Sequence, residues 1–182
     1  MKKENIPNIL TIIRFILIPF IFISVVKNQY LTALIIFTIS ALTDILDGFI
    51  ARKFNYISNF GKLMDPLADK LTQVSLLLSF SILEILPWWI FAIVFIKEGV
   101  MIISASFLYK KEDVIVYSKW YGKLATVLFY LAIVSSLLIN HFNFAIPFAI
   151  DLYLYYLAIL ATIFSLIMYA VKFKFKRKKQ EK

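Results

Sequence analysis

Six long apolar runs dominate the chain, at about residues 9–26, 31–50, 62–86, 88–109, 122–139 and 146–171. At 1.5 Å of rise per helical residue, each is close to the roughly 20 residues that cross a bilayer. The connections between them are short, so successive helices must run antiparallel. Of 182 residues, 62% are hydrophobic and the mean hydropathy is positive, which excludes an ordinary soluble domain. The expected fold is an all-α integral membrane protein with six transmembrane helices. One membrane domain spans 1–171 and a basic tail spans 172–182, with no internal repeat between.

Positive charge sets the expected orientation. Lysine and arginine concentrate at residues 1–8, 52–62, 110–123 and 172–182, whereas the opposite connections hold only Lys27. By the positive-inside rule both termini are cytoplasmic, in the cell (cytoplasmic) membrane. A net charge of +9 then reads as topology and attraction to anionic headgroups, with no nucleic acid as partner. Met1-Lys2-Lys3 before an apolar run resembles a signal peptide, but no small-residue cleavage site follows, so the first run is a retained helix. The chain has no cysteine, which removes thiol chemistry.

Against this apolar background stands Asp44-x-x-Asp47-Gly48-x-x-Ala51-Arg52, then eight residues, then Gly61-x-x-x-Asp65-x-x-x-Asp69. An ionisable side chain at a helix centre in a membrane costs roughly 2.5–3.5 kcal/mol on insertion scales. Four carboxylates in so short a stretch therefore require cations among them. Asp44 and Asp47 are three apart, Asp65 and Asp69 four apart, so on helices each pair shares a face. Two such faces present hard oxygen ligands suited to Mg²⁺ or Mn²⁺. The motif lies within about 12 Å of the turn between its helices, just below the cytoplasmic surface. His141, the single histidine, belongs to the opposite side and is excluded from catalysis.

The eight motif positions resemble the signature of the CDP-alcohol phosphatidyltransferases, which displace CMP from a CDP-linked lipid with an alcohol. The resemblance implies metal ligation by Asp44, Asp47, Asp65 and Asp69, with Asp69 also the general base. It implies two divalent cations per site, Mg²⁺ or Mn²⁺, acting as Lewis acids and as a clamp on the diphosphate. Gly48, Ala51, Arg52 and Gly61 would bind the CDP group: the small residues allow close approach and Arg52 forks to the diphosphate. The family also implies a homodimer and CDP-diacylglycerol as donor.

The acceptor alcohol is less sharply marked. Asn5-Ile6-Pro7-Asn8 through Arg14, the Asp65–Lys70 run and Gly122-Lys123 resemble the phosphatidylglycerophosphate synthases, which use glycerol 3-phosphate. Three departures fall on the acceptor side: Lys97-Glu98 stands where Arg-Glu is common, Ala105 replaces a second arginine, and Ala125 replaces a second lysine. Those losses resemble the CDP-alcohol type of cardiolipin synthase, whose acceptor is phosphatidylglycerol. Arg14, Lys97, Lys119 and Lys123 are the candidate acceptor ligands. Against these, Arg14 could simply snorkel to headgroups, and Lys119 and Lys123 could be solvated loop charges. Glycerol 3-phosphate is the favoured acceptor. A small cation transporter also places acids in membrane helices, but near the midplane and usually with repeat symmetry, which this chain lacks.

Overall fold

A computed structural model of the chain describes residues 6–54, 56, 59–109, 120–143 and 150–180. All regular structure among them is helical: α1 (Ile6–Val26), α2 (Tyr30–Lys53), α3 (Asn59–Ile82), α4 (Trp88–Tyr109), α5 (Trp120–Phe142) and α6 (Ile150–Gln180). Each expected apolar run holds a helix among the described residues, the third ending at Ile82, short of residue 86. Three of the six are long and apolar enough to cross a membrane, over Pro7–Val26, Tyr30–Ala51 and Gly122–Phe142, and a shorter apolar stretch covers Ile150–Ser165 in α6. In α3, Lys62, Asp65, Asp69 and Lys70 interrupt the apolar run, and in α4 Lys97-Glu98 does so. The α6 helix continues through most of the basic tail, because that stretch contains neither proline nor glycine to stop it.

Two compact units make up the chain. The first comprises residues up to 107 together with 137–144, and it holds α1 to α4. Its α1 packs along both α2 and α3. The α1–α2 connection is only three residues, and Asn28 closes it at φ 58°, a left-handed conformation that asparagine tolerates well. There the Asn28 amide returns to Val25 O at 2.8 Å and the Gln29 amide to Ser24 O at 2.8 Å. Buried side chains of this unit include Ile21 and Val25 of α1, Ala33 and Phe37 of α2, Leu76, Leu77 and Phe80 of α3, and Ile90 and Val94 of α4.

The second unit, 108–136 with 145–182, buries Phe129 and Ile133 of α5 and Tyr155 and Ile159 of α6. A polar contact ties these helices: the Ser136 hydroxyl donates to Asp151 at 2.9 Å and lies 3.4 Å from the Tyr155 hydroxyl. Asp151 sits in the first turn of α6, where a carboxylate meets the positive end of the helix dipole.

The outer faces are apolar in both units. Ile45 and Ile96 are 64% exposed and Leu160 is 62% exposed, with many more isoleucines and leucines beside them. A water-facing surface would aggregate with such continuous apolar cover, whereas lipid tails solvate it. The chain is a multi-pass membrane protein.

Candidate active site

The expected acidic motif spans the end of α2 and the start of α3. Asp44, Asp47, Gly48, Ala51 and Arg52 all lie in the last three turns of α2, and Gly61, Asp65 and Asp69 in the first three of α3. The Phe54 and Tyr56 amides return to Ile50 O and Ala51 O, each at 3.0 Å, and close α2. Pro66 follows Asp65 inside α3 and has no N–H for the carbonyl four residues earlier, which leaves a backbone acceptor beside the carboxylates. The Gly61 backbone is buried and Gly48 is half-buried. The position of the Arg52 side chain lies outside the described residues, as does all of Lys119.

Arg14 of α1 lies at the centre of the acids. Its Nη1 pairs with Asp44 Oδ1, and its Nη2 donates to Asp47 Oδ2 at 2.8 Å and to Asp65 Oδ1 at 2.9 Å. One guanidinium thus gathers carboxylates from two helices. The Arg14 side chain is only 2% exposed, so it does not snorkel to headgroups. Asp47 is equally deep at 3%, whereas Asp44 and Asp65 are 41% and 35% exposed. The cluster therefore has a buried end and an open end. Asp69, one helical turn after Asp65 on α3, is not among Arg14's partners.

Thr11, one turn before Arg14 on the same helix, is fully buried. Its hydroxyl lies 2.5 Å from Asp65 Oδ1 and 3.1 Å from Pro7 O. With one proton it donates to only one of them at a time. Thr11 escapes notice in the sequence because a single hydroxyl in an apolar run carries no pattern of its own. Its three-residue spacing from Arg14 is the signal that places both on the face turned to the acids.

A second charged group links α3 to α4. Lys97 Nζ is 2.5 Å from Glu98 Oε1, and Lys70 Nζ, next in sequence to Asp69, is 3.4 Å from the same oxygen. Glu98 is 2% exposed, and Lys97 and Lys70 retain 15% and 19% exposure. Two ammonium groups about one carboxylate leave a net positive charge, which suits an anionic ligand. Lys70 closes the Asp65–Lys70 run, and its place after Asp69 on α3 puts it beside the motif. Lys123, on α5 in the second unit, is exposed.

Small divalent cations are met by hard carboxylate oxygens, and this donor set fits them. Three carboxylates already converge on one cationic group, and two of them keep an open side. Among the described residues no three acids form a ready ion cage, and the Arg14 guanidinium bonds Asp44, Asp47 and Asp65.

Comparison with known proteins bears directly on this site. The family model for CDP-alcohol phosphatidyltransferase matches residues 4–171. A CDP-diacylglycerol--glycerol-3-phosphate 3-phosphatidyltransferase of Aquifex aeolicus is 37% identical over 141 residues, covering 76% of this chain and 79% of that protein. One of the same name from Haemophilus influenzae is 35% identical over 176 residues, 92% of each chain. A probable CMP-forming cardiolipin synthase of Drosophila melanogaster is 37% identical over 111 residues, 59% of this chain and 34% of that longer protein. The matched region contains every residue of the acidic motif, and the chain belongs to the CDP-alcohol phosphatidyltransferase family.

Proposed function

We propose that this enzyme transfers a phosphatidyl group from CDP-diacylglycerol to glycerol 3-phosphate, releasing CMP and forming phosphatidylglycerophosphate. The observation that carries the reading is the match to the Haemophilus enzyme of that name along 92% of both chains, with the carboxylate cluster intact. Asp44, Asp47, Asp65 and Asp69 would hold two divalent cations, Mg²⁺ or Mn²⁺, which supply charge neutralisation to the diphosphate and acidify a nearby alcohol. The chain's own groups do the rest. Gly48, Ala51 and Gly61 leave room for the nucleotide against the helix backbones, and Arg52 forks to the diphosphate. Asp69, outside Arg14's ion pairs, accepts the proton of the attacking hydroxyl.

Lys97 and Lys70 face the phosphate of the acceptor, held in place by the Glu98 carboxylate between them. Lys119 and Lys123 are further candidates for that phosphate. Within one membrane domain, 1–171, with the basic tail beyond it, the charge pattern supports cytoplasmic termini and a cytoplasmic active site. The enzyme works as a homodimer.

A second reading has its own support. The lysine at position 97 and the alanines at 105 and 125 reduce the arginine and lysine forks expected of a phosphate acceptor site, and the Drosophila relative is named a cardiolipin synthase. Offering the purified protein CDP-diacylglycerol with glycerol 3-phosphate and phosphatidylglycerol together, and identifying the lipid product, separates the two. Phosphatidylglycerophosphate is expected; cardiolipin alone would transfer the assignment to the second reading. In the same assay Lys97→Ala should raise the KM for glycerol 3-phosphate about tenfold and leave that for the donor within twofold. An unchanged acceptor KM would remove Lys97 from the pocket.

A further inference from the structure

Arg14 poses a problem for a metal enzyme. Its guanidinium fills the space between the carboxylates that should hold the ions, bonding Asp44, Asp47 and Asp65 at once. Two cationic groups cannot share those oxygens at contact distance without strong repulsion, since unit charges 4 Å apart interact by about 4 kcal/mol at the effective dielectric of a protein. Without some cation, however, the same acids would repel one another in a site where Asp47 is nearly inaccessible to water.

We propose that Arg14 competes with divalent cations for one set of carboxylates: its guanidinium holds the acids of α2 and α3 together, and it would leave them where divalent cations bind. The inference rests on the reading that these acids bind metal, and it assigns Arg14 a task different from acceptor binding.

Three observations carry it. First, the guanidinium is committed through both terminal nitrogens, while its buried Nε–H has no hydrogen-bond partner among the described residues. An arginine built permanently into a structural network would have this donor satisfied as well, because an unpaired buried donor costs about 1–3 kcal/mol. Second, the charge balance is incomplete. One guanidinium meets three carboxylates, with Asp69 one turn beyond Asp65 on α3, so the cluster still attracts cations when Arg14 is in place. Third, the open side of the cluster is at Asp44 and Asp65, the two exposed acids, so an ion can reach them while Arg14 still holds Asp47 at the closed end. Exchange of one cation for another need not pass through a bare cluster.

The chain contains only three arginines, Arg14, Arg52 and Arg177, which makes a direct test practicable. With ¹⁵N-arginine-labelled wild-type protein in micelles, and signals assigned through Arg52→Lys and Arg177→Lys, the Arg14 N–H groups should exchange slowly with water in chelator. Saturating Mg²⁺ should accelerate that exchange at least tenfold. Mn²⁺ titration followed by electron paramagnetic resonance supplies the second readout: Arg14→Gln should bind Mn²⁺ about tenfold more tightly than wild type. Slow Arg14 exchange in the presence of bound metal, or weaker Mn²⁺ binding in folded Arg14→Gln, would overturn this inference alone. Should the wild type bind no Mn²⁺, the metal reading of the carboxylates would fall together with it. The wild-type exchange experiment decides the matter even if Arg14→Gln does not fold.

Discussion

Asp69→Asn should lower turnover at least about a thousandfold while CDP-diacylglycerol binding stays measurable. A positioned general base contributes about 10²–10⁴ to a rate, and on the proposed metal role this substitution would also withdraw an anionic ligand. Asparagine keeps the shape of the side chain and cannot take a proton. Because Asp69 is not paired with Arg14, the exchange leaves all three Arg14 contacts in place, and the fold should be undisturbed. Single-turnover CMP release together with donor binding by the same preparation would check this. Turnover within tenfold of wild type would remove Asp69 as the base.

Asp47→Asn should have an effect of comparable size for a different reason. Asp47 is the buried end of the cluster, 3% exposed and 2.8 Å from Arg14 Nη2. Its loss leaves Arg14 with Asp44 and Asp65, so the metal-free protein should be destabilised by about 2 kcal/mol, the scale of a hydrogen bond to a charged group. On the proposed metal role, ion binding also loses one of its carboxylate ligands. The expected result is turnover reduced by about three orders of magnitude or more, with the metal-induced rise in Tm lost. A full Tm response to Mn²⁺ in Asp47→Asn would exclude this residue from the metal site.

The helices were legible because a bilayer demands apolar segments of one length, and each of the six runs holds a helix among the described residues. Their ends were less so. Hydropathy stops at about residue 171, but helix formation does not, since lysine and phenylalanine continue α6 to Gln180. At the site, the spacing within α2 and within α3 foretold that each pair of acids shares a face. What spacing could not foretell was which side chain of another helix would enter between them. Arg14 was visible as a charge in an apolar run, with headgroups or acceptor as its expected partners. Its actual partners follow from the docking of α1 onto α2 and α3, a tertiary fact that no local period encodes. Thr11 was missed for the same reason. Lys97-Glu98 was legible as a pair, though its extension to Lys70 needed the approach of α3 to α4.

Arg14 and the acids also explain why this membrane protein tolerates so many charges. Among the described residues, buried Arg14, Asp47 and Glu98 each meet an opposite charge on a neighbouring helix, which reduces the cost of removing them from water. The same arrangement at Lys70, Glu98 and Lys97 leaves excess positive charge beside excess negative charge at the motif. Metal ions and an anionic acceptor are the ligands such a pair of neighbouring fields attracts.

The decisive experiment is CMP release by the purified protein from CDP-diacylglycerol, compared in Mg²⁺ or Mn²⁺ and in chelator, with glycerol 3-phosphate or phosphatidylglycerol supplied separately. Release should require both a divalent cation and glycerol 3-phosphate. Equal release in chelator, or no release with glycerol 3-phosphate under any metal condition, would contradict it.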